Sequence, residues 1–122
     1  MATRATITVR LNEKIRLSVY SHWDGYPEHV GKLLKEVYNT KAKALELVSF
    51  GDISSLQKNL APKENEVHNF QTPAKEVTIF YGRDRGEKDV ECKILRNTES
   101  VDKEEYNYYF NNGKWIVNDS DF

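Results

Sequence analysis

The sequence predicts an α+β domain: a small antiparallel sheet of about five to six strands, with two helices packed on one face. Three observations lead there. Apolar residues alternate with polar ones near both ends of the chain, helical spacing fills the stretch from about 27 to 50, and turn residues separate the runs. The 122 residues fit one domain, 1–122. At 39% hydrophobic, a core can form without metals or disulfides.

The elements follow in order. "ATITVRL" sets Ala5, Ile7, Val9 and Leu11 on one face and Thr6, Thr8 and Arg10 on the other, which is a half-buried strand. "NEK" makes a loop, and "IRLSVYSHW" resumes the alternation, so the pair reads as an antiparallel hairpin. Asp24-Gly25 breaks the strand, and Pro27 suits the first turn of a helix, where its missing N–H costs nothing. Val30, Leu33, Leu34, Val37 and Tyr38 share a helical face. A second helix covers about 41–50, with Thr40 at its N-cap and Gly51 as its stop. Residues 57–75 are polar, hold two prolines and read as a long, mobile loop, a feature often tied to function. "EVTIFY" is a strand leading into "GRDRGE", and "VECKIL" pairs with it across that turn. "YNYYF-NNG-KWIVN" is a closing hairpin around Asn-Asn-Gly.

Composition excludes several functions. The net charge of -1 provides no broad positive field for a nucleic acid polymer. One cysteine, Cys92, allows no internal disulfide, and no CxxC or Cys/His zinc pattern is present. Cys92 reads as a small buried hydrophobe. "MATRATITVRL" lacks the continuous apolar core of a signal peptide, and no stretch is long enough to span a bilayer. The expectation is a soluble cytoplasmic protein without membrane partner, metal or cofactor.

Two stretches concentrate chemistry. "SHWDGYPEH" places His22, Trp23, Asp24 and Tyr26 at a strand-to-helix junction. His22 and Asp24 could act as a base and its partner; equally, Trp23 plugs the core and Asp24-Gly25 only turns the chain. "FYGRDRGE" sets Phe80 at a strand end, then Arg83, Asp84, Arg85 and Glu87 around two glycines. Guanidinium forks suit phosphate, and glycine permits close approach of a ligand. The plain alternative is a solvated hairpin tip whose ion pairs contribute little. In "YNYYF", Tyr106, Tyr108 and Phe110 alternate with Asn107 and Tyr109. Apolar residues on both faces point to burial on both, hence a homodimer or larger assembly. No Gly-x-Ser-x-Gly or recognisable Cys/His arrangement is present, so no catalytic residue is assigned.

The order "SHWDGYPEHVGKLL", "GDISSL", "FYGRDRGE" and an aromatic hairpin ending "GKW" resembles the phage and prophage anti-Thoeris family that sequesters cyclic ADP-ribose isomers. The resemblance covers roughly residues 1–117. It implies an oligomer with recessed pockets where subunits meet, which holds a small-molecule messenger intact and keeps the host effector inactive. Some members of the family are thought to hold cyclic oligonucleotides at a separate site. The resemblance and the local chemistry direct ligand contacts to His22, Trp23, Asp24, Tyr26, Phe80, Arg83, Asp84, Arg85 and Glu87, with Tyr106 and Tyr109 as stacking rings. Two other readings stand beside it: a phosphodiesterase or glycohydrolase using His22, Asp24 or Glu87, and a phage protein–protein interaction module.

Overall fold

The computed structural model describes residues 2–122. Strands β1 (Ala5–Arg10) and β2 (Ile15–Ser21) form the expected antiparallel hairpin. A π-helical turn, Pro27–Gly31, runs into helix α1 (Lys32–Glu36), and helix α2 spans Lys41–Ser49. Thr40 caps α2 by accepting the Lys43 N–H at 3.2 Å. Strand β3 (Ile53–Ser55), strand β4 (Ile79–Phe80), the single turn α3 (Tyr81–Arg85) and strand β5 (Lys93–Arg96) follow. Strands β6 (Tyr106–Asn111) and β7 (Lys114–Val117) close the chain as the expected hairpin, with Asn112 at φ 54° and Gly113 at φ 76°.

The sheet order is β4-β3-β2-β1-β6-β7, with β5 also pairing β2. The sheet is mixed, because β1 runs parallel to β6 and β2 runs parallel to β3. Helical and irregular crossovers make those two parallel pairs reachable.

Two local readings change. Strand β5 pairs β2, and β4 pairs β3, so "EVTIFY" and "VECKIL" are not a hairpin. Between them "YGRDR" winds into α3 instead of a hairpin tip. Gly86 ends it in the left-handed region at φ 76°, and Asp84 Oδ2 accepts the Phe80 N–H at 2.8 Å.

Both helices pack on one face, as the alternation requires. Ala5, Ile7 and Val9 form one core with Leu34, Ala44, Leu47 and Val48. Removing that apolar area from water stabilises the fold at roughly 25 cal/mol per Å². Tyr108 joins the core and donates its hydroxyl to Gly25 O at 2.7 Å, while burial raises its pKa above the usual tyrosine range. The opposite face is polar yet buried. There Thr8 and Ser18 hydroxyls meet at 2.9 Å, and Thr6 donates to Asn107 Oδ1 at 2.9 Å. Residues 97–105 cross this face. Arg16 Nη2 donates to the carbonyls of Arg96 and Glu99, and Asn107 exchanges hydrogen bonds with the Glu104 backbone. Among the described residues, no helix is long and apolar enough to cross a membrane.

Candidate functional site

The two charged stretches have different fates. Asp84 is almost fully buried, its side chain 4% exposed. It accepts from Arg83 Nε at 2.9 Å, from Arg83 Nη2 at 3.1 Å and from the Phe80 amide. Burial works against its ionisation, but the Arg83 hydrogen bond, the Phe80 amide and the nearby charges outweigh it and hold the carboxyl below its usual range. Arg83 also donates to the carbonyls of Thr78, at 3.0 Å, and Leu60. Four of its five N–H groups are therefore committed inside the chain. Its guanidinium lies 4.8 Å from the Phe80 ring centroid and 5.4 Å from that of Phe50.

The long loop joins this network from the other side. The His68 side chain is buried, and its Nδ1 accepts the Ala74 N–H at 2.9 Å. Nε2 therefore carries the proton and donates to Thr78 O at 3.1 Å, with Asp84 Oδ2 at 3.3 Å. Phe70 N–H adds a bond to Asp84 O at 3.0 Å. Residues 57–75 are thus bolted to α3, where sequence reading expects a mobile loop. Arg83 and Asp84 hold that bolt. Phe80 is fully buried and stacks on Phe50 at 4.9 Å. Arg85 and Glu87 differ: they form an exposed pair at 3.5 Å, with Arg85 4.7 Å from the Phe70 ring centroid.

The junction of β2 with the π-helical turn is more open. Tyr20 Oη and His22 Nδ1 lie 2.6 Å apart, and the Trp23 ring stands edge-on to His22 at 4.8 Å. Trp23 is 44% exposed, so it is not a core plug. Asp24 is exposed at φ 55° and serves the turn. Tyr26 is exposed, with His29 as its aromatic neighbour at 6.4 Å. Among the described residues no carboxylate pairs with His22, so the base-and-partner arrangement with Asp24 is not formed.

Sequence reading missed Tyr20 and Asp52 as members of this rim. Asp52 Oδ1 accepts the Tyr20 N–H at 2.9 Å, and its backbone carbonyl accepts the Tyr81 N–H at 3.2 Å. Burial raises the Asp52 pKa, offset by the Tyr20 N–H and Lys93. Burial also raises the pKa of Tyr20, opposed by the Arg4 charge beside it. The available signal was the shared strand face of Tyr20 and His22, two residues apart. A cleft of about 300 Å³ meets this rim at Tyr20 and Asp52 and extends away from His22 and Trp23, past Ser18 and Lys93 to Glu104. Cys92 is half-buried; burial, with Asp52 nearby, raises its thiol pKa. Tyr106 packs against the core. Tyr109 faces the polar side, in a groove beneath residues 97–105 that shares Thr6, Ser100 and Val101 with the cleft at Tyr20 and Asp52.

The stretches "SHWDGY", "GDISSL" and "YGRDRGE" therefore converge. His22 and Trp23 N–H groups bond the carbonyls of Ile53 and Ser54, each at 3.0 Å, and Ile53 pairs both Ser21 and Phe80. Compared with protein-family models, curated proteins and solved structures, the chain matches none.

Proposed function

We propose that this chain captures a nucleotide-derived messenger of the cyclic ADP-ribose type and holds it without cleavage, as its likeness to the anti-Thoeris family implies. One observation carries the reading: the three motif stretches meet at one end of the sheet, around Tyr20, His22, Trp23, Asp52 and Tyr81. An exposed indole suits the adenine face, and stacking contributes about 1–3 kcal/mol per base. Arg4, exposed and two residues before Thr6, which pairs Tyr20, supplies a cation for the pyrophosphate; each charge-assisted bond contributes about 1.5–3 kcal/mol. Arg83 is withdrawn from that role, because its donors serve the fold. In this reading the protein acts in the host cytoplasm as a homodimer or larger assembly, measurable by light scattering.

The test is uptake and release. Purified protein is mixed with cyclic ADP-ribose isomers, filtered, and heated; mass spectrometry then reads what emerges. Intact ligand is expected, and Trp23→Ala or Arg4→Ala weakens uptake about tenfold or more. Cleaved ligand would convert the assignment to a hydrolase. No uptake of any isomer, with a stable complex formed on a host polypeptide instead, would make the chain an interaction module.

A further inference from the structure

Tyr20 near the end of β2 and His22 just past it stand two residues apart, so their side chains share one face. Both amides are tied to the segment that enters β3. Asp52 Oδ1 accepts the Tyr20 N–H at 2.9 Å, and Ile53 O accepts the His22 N–H at 3.0 Å. With both backbones fixed, the Tyr20 hydroxyl lies 2.6 Å from His22 Nδ1. The imidazole plane stands at 87° to the Trp23 ring, with centroids 4.8 Å apart. Neighbours on two sides therefore set its orientation.

The direction of the short bond decides the tautomer. Either the phenol donates to Nδ1, or Nδ1–H donates to the phenol oxygen. The 2.6 Å separation falls within the range of hydroxyl donors and below that of N–H donors. Among the described residues the hydroxyl has no other hydrogen-bond partner, so only the first arrangement uses its hydrogen. Burial raises the Tyr20 pKa, which keeps the phenol protonated and a donor. Nδ1 therefore accepts, and in the neutral ring Nε2 carries the hydrogen. Nε2 has no partner among the described residues. Nor is it sealed in: the buried side-chain atoms lacking a partner there are Arg16 Nε and Ser21 Oγ. Its N–H is open to whatever occupies the rim.

We propose that Tyr20 is a positioning residue that holds His22 in its Nε2–H form, and that this N–H donates to an oxygen of a ligand at the rim. The identity of that ligand rests on the capture reading above; the tautomer does not. The arrangement also separates binding from base chemistry. The lone pair able to take a proton is engaged by Tyr20, and the nitrogen facing outward already carries one. In this form His22 steadies an acceptor and does not deprotonate a water.

Imidazole nitrogen NMR on the isotope-labelled full chain, without ligand and in mildly alkaline buffer, tests the assignment. His22→Gln identifies the His22 signals by their loss. A protonated Nε2 and an unprotonated, hydrogen-bonded Nδ1 are expected. Tyr20→Phe keeps the ring and removes only the hydroxyl, so the Nδ1 signal should move to that of a nitrogen without a hydrogen bond, while amides away from the rim stay in place. A protonated Nδ1 in the unaltered chain, or an Nδ1 signal that Tyr20→Phe does not move, overturns the proposal. Uptake of cyclic ADP-ribose isomers then tests the donor. Tyr20→Phe should weaken it about threefold to tenfold. His22→Gln, whose amide N–H reaches the Nε2 position, should retain more uptake than His22→Asn, whose amide reaches only that of Nδ1. Unchanged uptake by Tyr20→Phe, or an equal or reversed order of the two His22 variants, overturns the donor role. If no isomer binds while the Nε2–H form is observed, the capture reading fails and the Tyr20–His22 assignment stands.

Discussion

Replacing Asp84 by Asn separates a structural bolt from a phosphate-binding loop. The substitution keeps the size and removes the charge. The side chain, 4% exposed, serves Arg83 through two contacts, the Phe80 amide and His68. Arg83 is 27% exposed, so the pair lies between a surface ion pair, about 0–1 kcal/mol, and a fully buried one, where removing a partner costs about 3–5 kcal/mol. A loss of about 2–3 kcal/mol follows. That is a large part of the 5–15 kcal/mol typical of a domain, in order of magnitude. Urea unfolding followed by tryptophan fluorescence reads it as a midpoint about 1–2 M lower. Limited proteolysis should meanwhile cut residues 57–75 faster, because His68 and Phe70 lose their anchor. A stability change below about 0.5 kcal/mol, the level of an ordinary surface substitution, would refute the bolt. So would unchanged cleavage of the loop.

Other outcomes follow from the same geometry. Gly51→Ala places a Cβ 2.4 Å from Val90 O on a residue at φ +86°; a loss of at least about 2 kcal/mol is expected in thermal unfolding. Tyr108→Phe strands the Gly25 carbonyl inside the core and costs about 1–3 kcal/mol by the same measurement. Acid titration should expose Asp84. Its folded pKa is depressed, so its contribution is present above the unfolded value near 4 and disappears as pH falls through the folded one. Asp52 acts oppositely: its folded pKa is raised, so protonation on acidification favours the folded form. Asp84→Asn should therefore flatten the fall in stability below about pH 4, whereas Asp52→Asn should remove a gain in stability that accompanies acidification at pH values above about 4.

Much of the frame was legible because it is local. Both hairpins follow from alternation and from the turn residues between them, and both helices follow from apolar spacing with Thr40 and Gly51 at the ends of the second. Long-range pairing was not legible. Nothing in "VECKIL" distinguishes β2 from β4 as its neighbour, since register depends on contacts made across the chain. The same limit hid the bolt. Arg83 and Asp84 are adjacent, but the partners that bury them are the carbonyls of Leu60 and Thr78 and the ring of His68, which leave no pattern in a polar loop. Arg83 thus reads as a ligand-gripping cation until its donors are traced. At the rim, His22 and Trp23 were visible as a cluster, whereas Tyr20 and Asp52 became members only when β2 and β3 lay side by side.

The parallel pairing of β1 with β6 bears on how the chain is made. Thr6 and Asn107 bond across 101 positions, so one flank of the first hairpin, complete at Ser21, has no neighbour until β6 begins to leave the ribosome at Tyr106, about 85 residues later. During that interval an exposed strand edge is open to aggregation. Completion of the sheet must be a late, slow step, because closure over such a separation is entropically costly. A nascent chain arrested before residue 106 should therefore be a substrate for chaperones, not a smaller folded protein.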